Sequence, residues 1–143
     1  MPATKSGFVP AAREITVLFV DDYADTLFAY ALEASAVGFR FELATDGHDA
    51  LAKALRLRPD VIVTDALLFG LDGFELTRQL AMEPRTRSIP VILVTGIILS
   101  NLPARARAAG CSAVLRKPCP FLPIERTIRR VLREGSEERA SEA

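Results

Sequence analysis

The sequence predicts an α/β protein: a doubly wound sheet of five parallel strands with helices on both faces. Two observations carry this. Five short apolar runs recur along the 143 residues. Each is followed by a segment with apolar residues at helical spacing, so strand and helix alternate five times over. Runs that are apolar throughout fit strands buried on both faces, and helical crossovers between them make the strands parallel.

The elements follow in order. Residues 1–14 carry Pro2, Gly7 and Pro10 among small residues and read as a flexible leader. Residues 15–20, β-branched and apolar, form the first strand and end in Asp21-Asp22. Asp25 is placed to cap a helix running to about residue 37, with Leu27, Tyr30, Ala31 and Ala34 at helical spacing and Gly38 as its stop. Residues 39–44 alternate as a second strand, and Asp46-Gly47 turns the chain. Ala50, Leu51, Ala54 and Leu55 give residues 48–57 one apolar helical face, ended by Pro59.

Residues 61–63 are the third strand, leading to Asp65. A loop with Gly70 and Asp72-Gly73 precedes a helix over about 74–82. Pro90 opens the fourth strand, 91–95. Residues 100–109 read as a short helix with Pro103 in its first turn and Gly110 as its stop. Residues 113–116 are the fifth strand, before Lys117-Pro118. The last helix is expected over about 121–134, with Ile124, Ile128, Val131 and Leu132 on its apolar stripe. Residues 135–143, charged and small, read as a frayed tail, which leaves 15–134 as one domain.

Composition narrows the function. Half the residues are hydrophobic and a quarter charged, as in a folded globular chain. A formal net charge of zero predicts neither direct DNA binding nor attraction to an acidic membrane. No apolar run approaches the ~18 residues of a membrane span, and the first residues lack a signal-peptide core. Cys111 and Cys119 have neither redox-motif nor zinc-site spacing and are expected to be reduced, which points to the cytoplasm. His48 stands at a helix start and reads as a capping or surface residue. No Walker loop and no G-x-G-x-x-G is present.

In an open parallel α/β sheet, ligands bind beyond the carboxyl ends of the strands. Strand one ends at Asp21 and Asp22, strand three at Asp65, strand four at Thr95, and strand five just before Lys117. Each residue alone has an ordinary explanation as a cap or strand end. Together, one to each strand terminus, they do not. Carboxylates crowded on one rim repel, by about 4 kcal/mol for a pair at about 4 Å and an effective dielectric of 20. A hard divalent cation offsets that, and Mg²⁺ suits few carboxylates with retained waters. A carboxylate nucleophile, a cation, a lysine and a hydroxyl donor are the parts that phosphoryl transfer uses.

These residues resemble the receiver domain of bacterial two-component response regulators, of the stand-alone type. The resemblance rests on Val20-Asp21-Asp22, residues 60–65 ending in Asp65, Asp72-Gly73-Phe74-Glu75-Leu76, residues 90–95 ending in Thr95, and Lys117-Pro118. It implies a flavodoxin-like fold with strand order 2-1-3-4-5 and a cis peptide before Pro118, which proline tolerates. It implies that Asp65 accepts a phosphoryl group from a phosphohistidine. Asp22, Asp65 and the backbone carbonyl of Leu67 would bind Mg²⁺ directly, with Asp21 acting through water. Lys117 would pair with Asp65 and then the phosphate, and Thr95 would move toward the phosphate. The implied donor is a sensor histidine kinase or a histidine phosphotransfer protein.

The expected output is contact with a downstream protein, or a homodimer, through the face of helix four, strand five and helix five. The protein is not expected to be an enzyme beyond its own phosphorylation and dephosphorylation. Four positions depart from the family pattern: Phe69 stands where a proline is usual, Gly96 where an alanine is usual, Val114 where a switching aromatic is usual, and Leu67 and Ile97 are both apolar beside the phosphate. Alternative readings are a receiver-fold binding module with impaired switching, a fragment of a larger regulator, and an Mg²⁺-dependent phosphatase. The last would need a second Asp where Leu67 stands.

Overall fold

The computed structural model describes residues 13–142. Five strands, β1 (Thr16–Val20), β2 (Arg40–Ala44), β3 (Val61–Thr64), β4 (Val91–Thr95) and β5 (Ala113–Arg116), form one parallel sheet in the order β2-β1-β3-β4-β5. The crossovers are α1 (Ala24–Ala36), α2 (Gly47–Leu57), α3 (Gly73–Met82) and α4 (Leu102–Ala109), and α5 (Phe121–Glu142) closes the chain. The expected flavodoxin-like order is therefore observed.

The period-2 geometry of a strand sorts its side chains onto two faces. Val17 and Phe19, Val61 and Val63, and Ile92 and Val94 point to one side. There they pack with Leu27 and Ala34 of α1 and with Ile124, Ile128 and Val131 of α5. Leu18, Val20, Ile62 and Val91 point to the other, against Ala50 and Ala54 of α2 and Leu76 and Leu80 of α3. Leu93 completes that face with Phe74 of α3 and Leu102, Ala106 and Ala109 of α4. The edge strand β2 is exposed over Arg40, Phe41 and Glu42 and buries Ala44, in keeping with its alternating sequence.

The register fixes where function sits. Val20 pairs with Ala44 and Thr64, Thr64 with Leu93, and Thr95 with Arg116, so four strand ends lie along one rim. The crossovers change direction between β1 and β3, which makes that gap the topological switch point.

Two helix ends differ from expectation. Asp25 does not cap α1; it lies inside the first turn, where its charge still favours the helix N-terminus. The chain entry is held instead by Asp21, whose Oδ1 accepts the Tyr23 N–H at 3.0 Å. The last helix does not stop at about residue 134 but continues to Glu142. Gly135-Ser136 resembles a C-terminal stop, yet one glycine costs a helix only about 1 kcal/mol. The flanking residues are mostly good helix formers, and Arg139 suits the last turn. The expected leader, 1–14, lies outside the described residues except for Arg13 and Glu14. Arg13 Nη2 meets Asp60 Oδ1 at 2.6 Å.

Buried polar groups beyond the rim are structural. Thr86 is fully buried, and its hydroxyl donates to the Leu80 carbonyl at 2.8 Å, closing the C-terminal end of α3. Thr86→Val is expected to cost about 1–2 kcal/mol by removing that donor. A urea titration should show a lower midpoint at unchanged slope.

Candidate functional site

The rim at the β1–β3 switch point is assembled by backbone bonds before any side chain is considered. The Asp65 N–H donates to Val20 O at 3.0 Å, and the Lys117 N–H to Thr95 O at 2.9 Å. These bonds hold the carboxyl ends of adjacent strands in step. The peptide between Lys117 and Pro118 is cis, as expected.

Lys117 is the centre of the site. Its Nζ lies 2.8 Å from Asp21 Oδ2 and 2.8 Å from Asp65 Oδ2, so one ammonium bridges two strand ends. Partial burial works against the Lys117 charge. The hydrogen bonds and negative charges of Asp21 and Asp65 outweigh it and raise the pKa above the ordinary lysine value. The ammonium is thus fixed in its charged form. Asp21 is buried and fully engaged, by Lys117 on one oxygen and the Tyr23 N–H on the other. Asp65 is more accessible, and its Oδ1 accepts only a 3.2 Å bond from the Leu67 N–H.

Asp22 is exposed, and among the described residues its carboxylate has no hydrogen-bond or ion-pair partner. Thr95 is buried, with its Oγ1 accepting from the Ile97 N–H at 3.2 Å.

The predicted residues thus meet at one rim, with one qualification. Among the described residues no three acidic, His or Cys side chains converge into a metal-holding group. Lys117 stands between Asp21 and Asp65 and supplies part of the neutralisation that had been assigned to a cation. The donor set still fits Mg²⁺. Two accessible carboxylates, Asp22 and Asp65, with a backbone carbonyl are hard oxygen donors of the kind that leave an ion its waters. Three carboxylates against one ammonium also leave the rim net negative.

Sequence reasoning did not find the packing beneath the site. Phe19, Tyr30 and Phe121 stack with centroids 5.4–6.5 Å apart, joining β1, α1 and the start of α5. Burial raises the Tyr30 pKa, with Lys117 opposing and Asp21 adding to the rise. Both cysteines are free, as expected, and burial pushes their thiol pKa values up.

The sequence model of the response regulator receiver domain matches residues 17–129. This chain belongs to that family. As a receiver it is similar to Protein PilH of Pseudomonas aeruginosa, 32% identical over 81% of this chain and 96% of that protein. It is equally similar to Response regulator PleD of Caulobacter vibrioides, 32% identical over 82% of this chain, and there it spans about a quarter (26%) of the relative's length. Among solved structures, the receiver domain of a sensor histidine kinase from Pseudomonas aeruginosa superimposes with a TM-score of 0.76 at 28% identity, covering 84% of this receiver and 98% of that chain. That structure holds a magnesium ion coordinated in its active-site cleft. This receiver is accordingly a phosphoryl-accepting domain of two-component signalling. No helix among its described residues is long and apolar enough to cross a membrane.

Proposed function

We propose that Asp65 is the phosphoryl acceptor and that Lys117 and Thr95 are the residues that respond to its charge. The observation that carries this reading is the Lys117 bridge, 2.8 Å from both Asp65 and Asp21. The donor is a sensor histidine kinase or a histidine phosphotransfer protein. The Asp65 carboxylate attacks the phosphorus of its phosphohistidine, the N–P bond breaks, and the imidazole leaves with the electron pair. An acyl phosphate remains on Asp65.

Asp22, Asp65 and the Leu67 carbonyl would hold Mg²⁺, with Asp21 acting through water. When bound, the ion offsets charge on the transferring oxygens. Lys117 shifts from the Asp65 carboxylate toward the phosphoryl oxygens. The Thr95 hydroxyl gives up the Ile97 contact to donate to them. Turnover is limited to the protein's own phosphorylation and dephosphorylation, because Leu67 fills the position where a phosphatase of this type would need its acid. The free, unreactive thiols are consistent with a cytoplasmic protein.

Phosphorylation adds close to two negative charges and biases a two-state element. The α4–β5–α5 face carries Arg105, Arg107, Arg116, Arg126, Arg129, Arg130 and Arg133, all exposed. It suits an acidic protein target better than DNA or a membrane. A homodimer of this face would set like charges together. The second reading, a receiver with impaired switching, rests on Val114. It is half-buried against the Phe74, Leu93 and Leu102 cluster and lacks the ring that would follow Thr95.

The test is acceptor phosphorylation by a small acyl phosphate with Mg²⁺ or with chelator. Labelling that needs the metal and is lost in Asp22→Asn supports the reading; metal-independent labelling contradicts it. A further prediction concerns lifetime. Leu67 is 57% exposed and Ile97 half-buried, and neither can hold an attacking water. The phosphoryl group should therefore be long-lived, and Leu67→Asn should shorten its lifetime several-fold in a phosphate-release assay.

A further inference from the structure

Helix α1 is apolar on nearly every side. Leu27, Ala31 and Ala34 are buried inward. Facing outward, Phe28 is 64% and Leu32 60% exposed, flanked by the exposed Ala24, Ala29 and Ala36. At four-residue spacing Ala24, Phe28, Leu32 and Ala36 form one stripe, and a helix apolar all round is ordinarily covered on both sides. The only charges on α1 are Asp25 and Glu33, both acidic and exposed. Neighbouring α5 borders α1 with bases instead. Arg129 lies 4.8 Å over the Phe39 ring, which belongs to the same core as Leu27 and Ala34. The α5 ion pairs use Arg129 with Glu125 and Arg130 with Glu134; among the described residues they leave Arg126 and Arg133 without one.

We propose that this stripe is covered by α1 of a second copy of the chain, in a two-fold symmetric dimer. The proposal goes beyond the phosphoacceptor reading and does not depend on it. Self-complementarity selects the second copy, because a closed two-fold contact must pair a patch with itself. An axis through the middle of α1 sets Phe28 of one copy against Leu32 of the other and Ala24 against Ala36, so the alanines let the backbones approach around the two large residues.

The helices α1 and α5 both follow parallel strands and so run in the same sense. The same axis therefore carries Asp25 toward the Arg133 end of the second copy's α5, and Glu33 toward the Arg126 end. Acids on α1 meet unpaired bases on α5, twice by symmetry. The formal net charge of zero adds no long-range repulsion between copies. A contact built on one helix pair is small, so the dimer is weak and reversible.

Sedimentation velocity of the full chain, from low micromolar to several hundred micromolar, tests this. The wild type should shift reversibly from monomer to dimer. Phe28→Ser with Leu32→Ser should weaken association at least about tenfold. Arg133→Glu should weaken it as well, and adding Asp25→Arg should restore it. Arg105→Glu with Arg107→Glu, on the other face, should leave it unchanged. Circular dichroism establishes that each variant folds. A wild type that stays monomeric throughout would overturn the proposal and assign the stripe to a different partner. A dimer that survives the double serine variant would overturn it too. Asp65 and Lys117 are intact in all these variants, so failure here and failure of the acceptor reading are separate results.

Discussion

Alanine in place of Gly73 is expected to destabilise the protein by about 2–3 kcal/mol, the upper part of the range for overpacking a closed site. Gly73 is the first residue of α3, after the cap residue Asp72, whose Oδ1 accepts the Glu75 N–H at 2.8 Å. Its own N–H donates to the Ala66 carbonyl at 2.8 Å. The helix start is thereby drawn hard against the chain leaving β3. A Cβ on Gly73 would overlap the Asp65 carbonyl oxygen and lie 3.0 Å from the Ala66 Cα. These are backbone atoms and cannot turn aside, so the helix or the acceptor loop must move.

Gly47 does the same from the opposite side. A Cβ there would overlap the Leu71 carbonyl and lie 2.8 Å from the Leu71 Cβ. The loop after Asp65 is thus wedged between the N-termini of α2 and α3, and both positions need glycine for close approach. Chemical denaturation of Gly73→Ala and Gly47→Ala should show losses of similar size, with melting lowered by roughly 5–10 °C. The two should not add fully, because they press on one loop. Gly96→Ala is the control. Its Cβ would meet only the Lys117 Cβ, at 3.7 Å, so stability should change by less than about 0.5 kcal/mol. A Gly73→Ala protein as stable as the wild type would contradict the wedge. A phosphorylation rate that falls further than the folded fraction accounts for would show that the loop also positions Asp65.

How much of this was readable in advance depended on whether a residue's neighbours are local. The strands announced themselves because 91–95 and 61–63 are uninterrupted apolar runs between turn residues. The rim followed from topology once the strands were parallel. The caps at Asp46 and Asp72 lie three residues from the N–H groups they accept. Helix ends were less legible. Asp25 has the chemistry of a cap, but Asp21 is better placed, and only the fold shows the Asp21 carboxylate turned back onto Tyr23. At the end of α5, Gly135 has the chemistry of a stop but not the conformation.

Long-range choices were not readable. Lys117 is 96 residues from Asp21 and 52 from Asp65, and nothing in the spacing says that one ammonium serves both. The sequence marks Gly73 as a turn residue; its approach to the Asp65 carbonyl exists only in three dimensions. The exposure of Phe28 and Leu32 was hidden for the same reason, because an apolar helix reads as a buried one.

Asp65→Asn is expected to have the largest functional effect, complete loss of phosphoryl uptake. Asparagine has nearly the same shape but is a far weaker nucleophile than a carboxylate. The fold should survive. Lys117 keeps its pairing with Asp21, and one of the three rim carboxylates that repel each other is gone. Loss of labelling in a folded Asp65→Asn protein therefore reports on chemistry and not on collapse of the site. The neighbouring carboxylates are the internal comparison, since Asp21 is buried behind Lys117 and Asp22 is exposed beside it. If phosphorylation were a property of any acidic group on the rim, Asp22 would take it when Asp65 cannot.

The most direct test is intact-mass analysis of wild type and Asp65→Asn after incubation with Mg²⁺ and a small acyl phosphate or phosphoramidate. The account predicts that the wild type gains the mass of one phosphoryl group, that the group maps to Asp65 and is lost on mild base treatment, and that Asp65→Asn gains nothing. Equal uptake by both proteins, or a wild type that binds Mg²⁺ yet takes up no phosphoryl group, would contradict it.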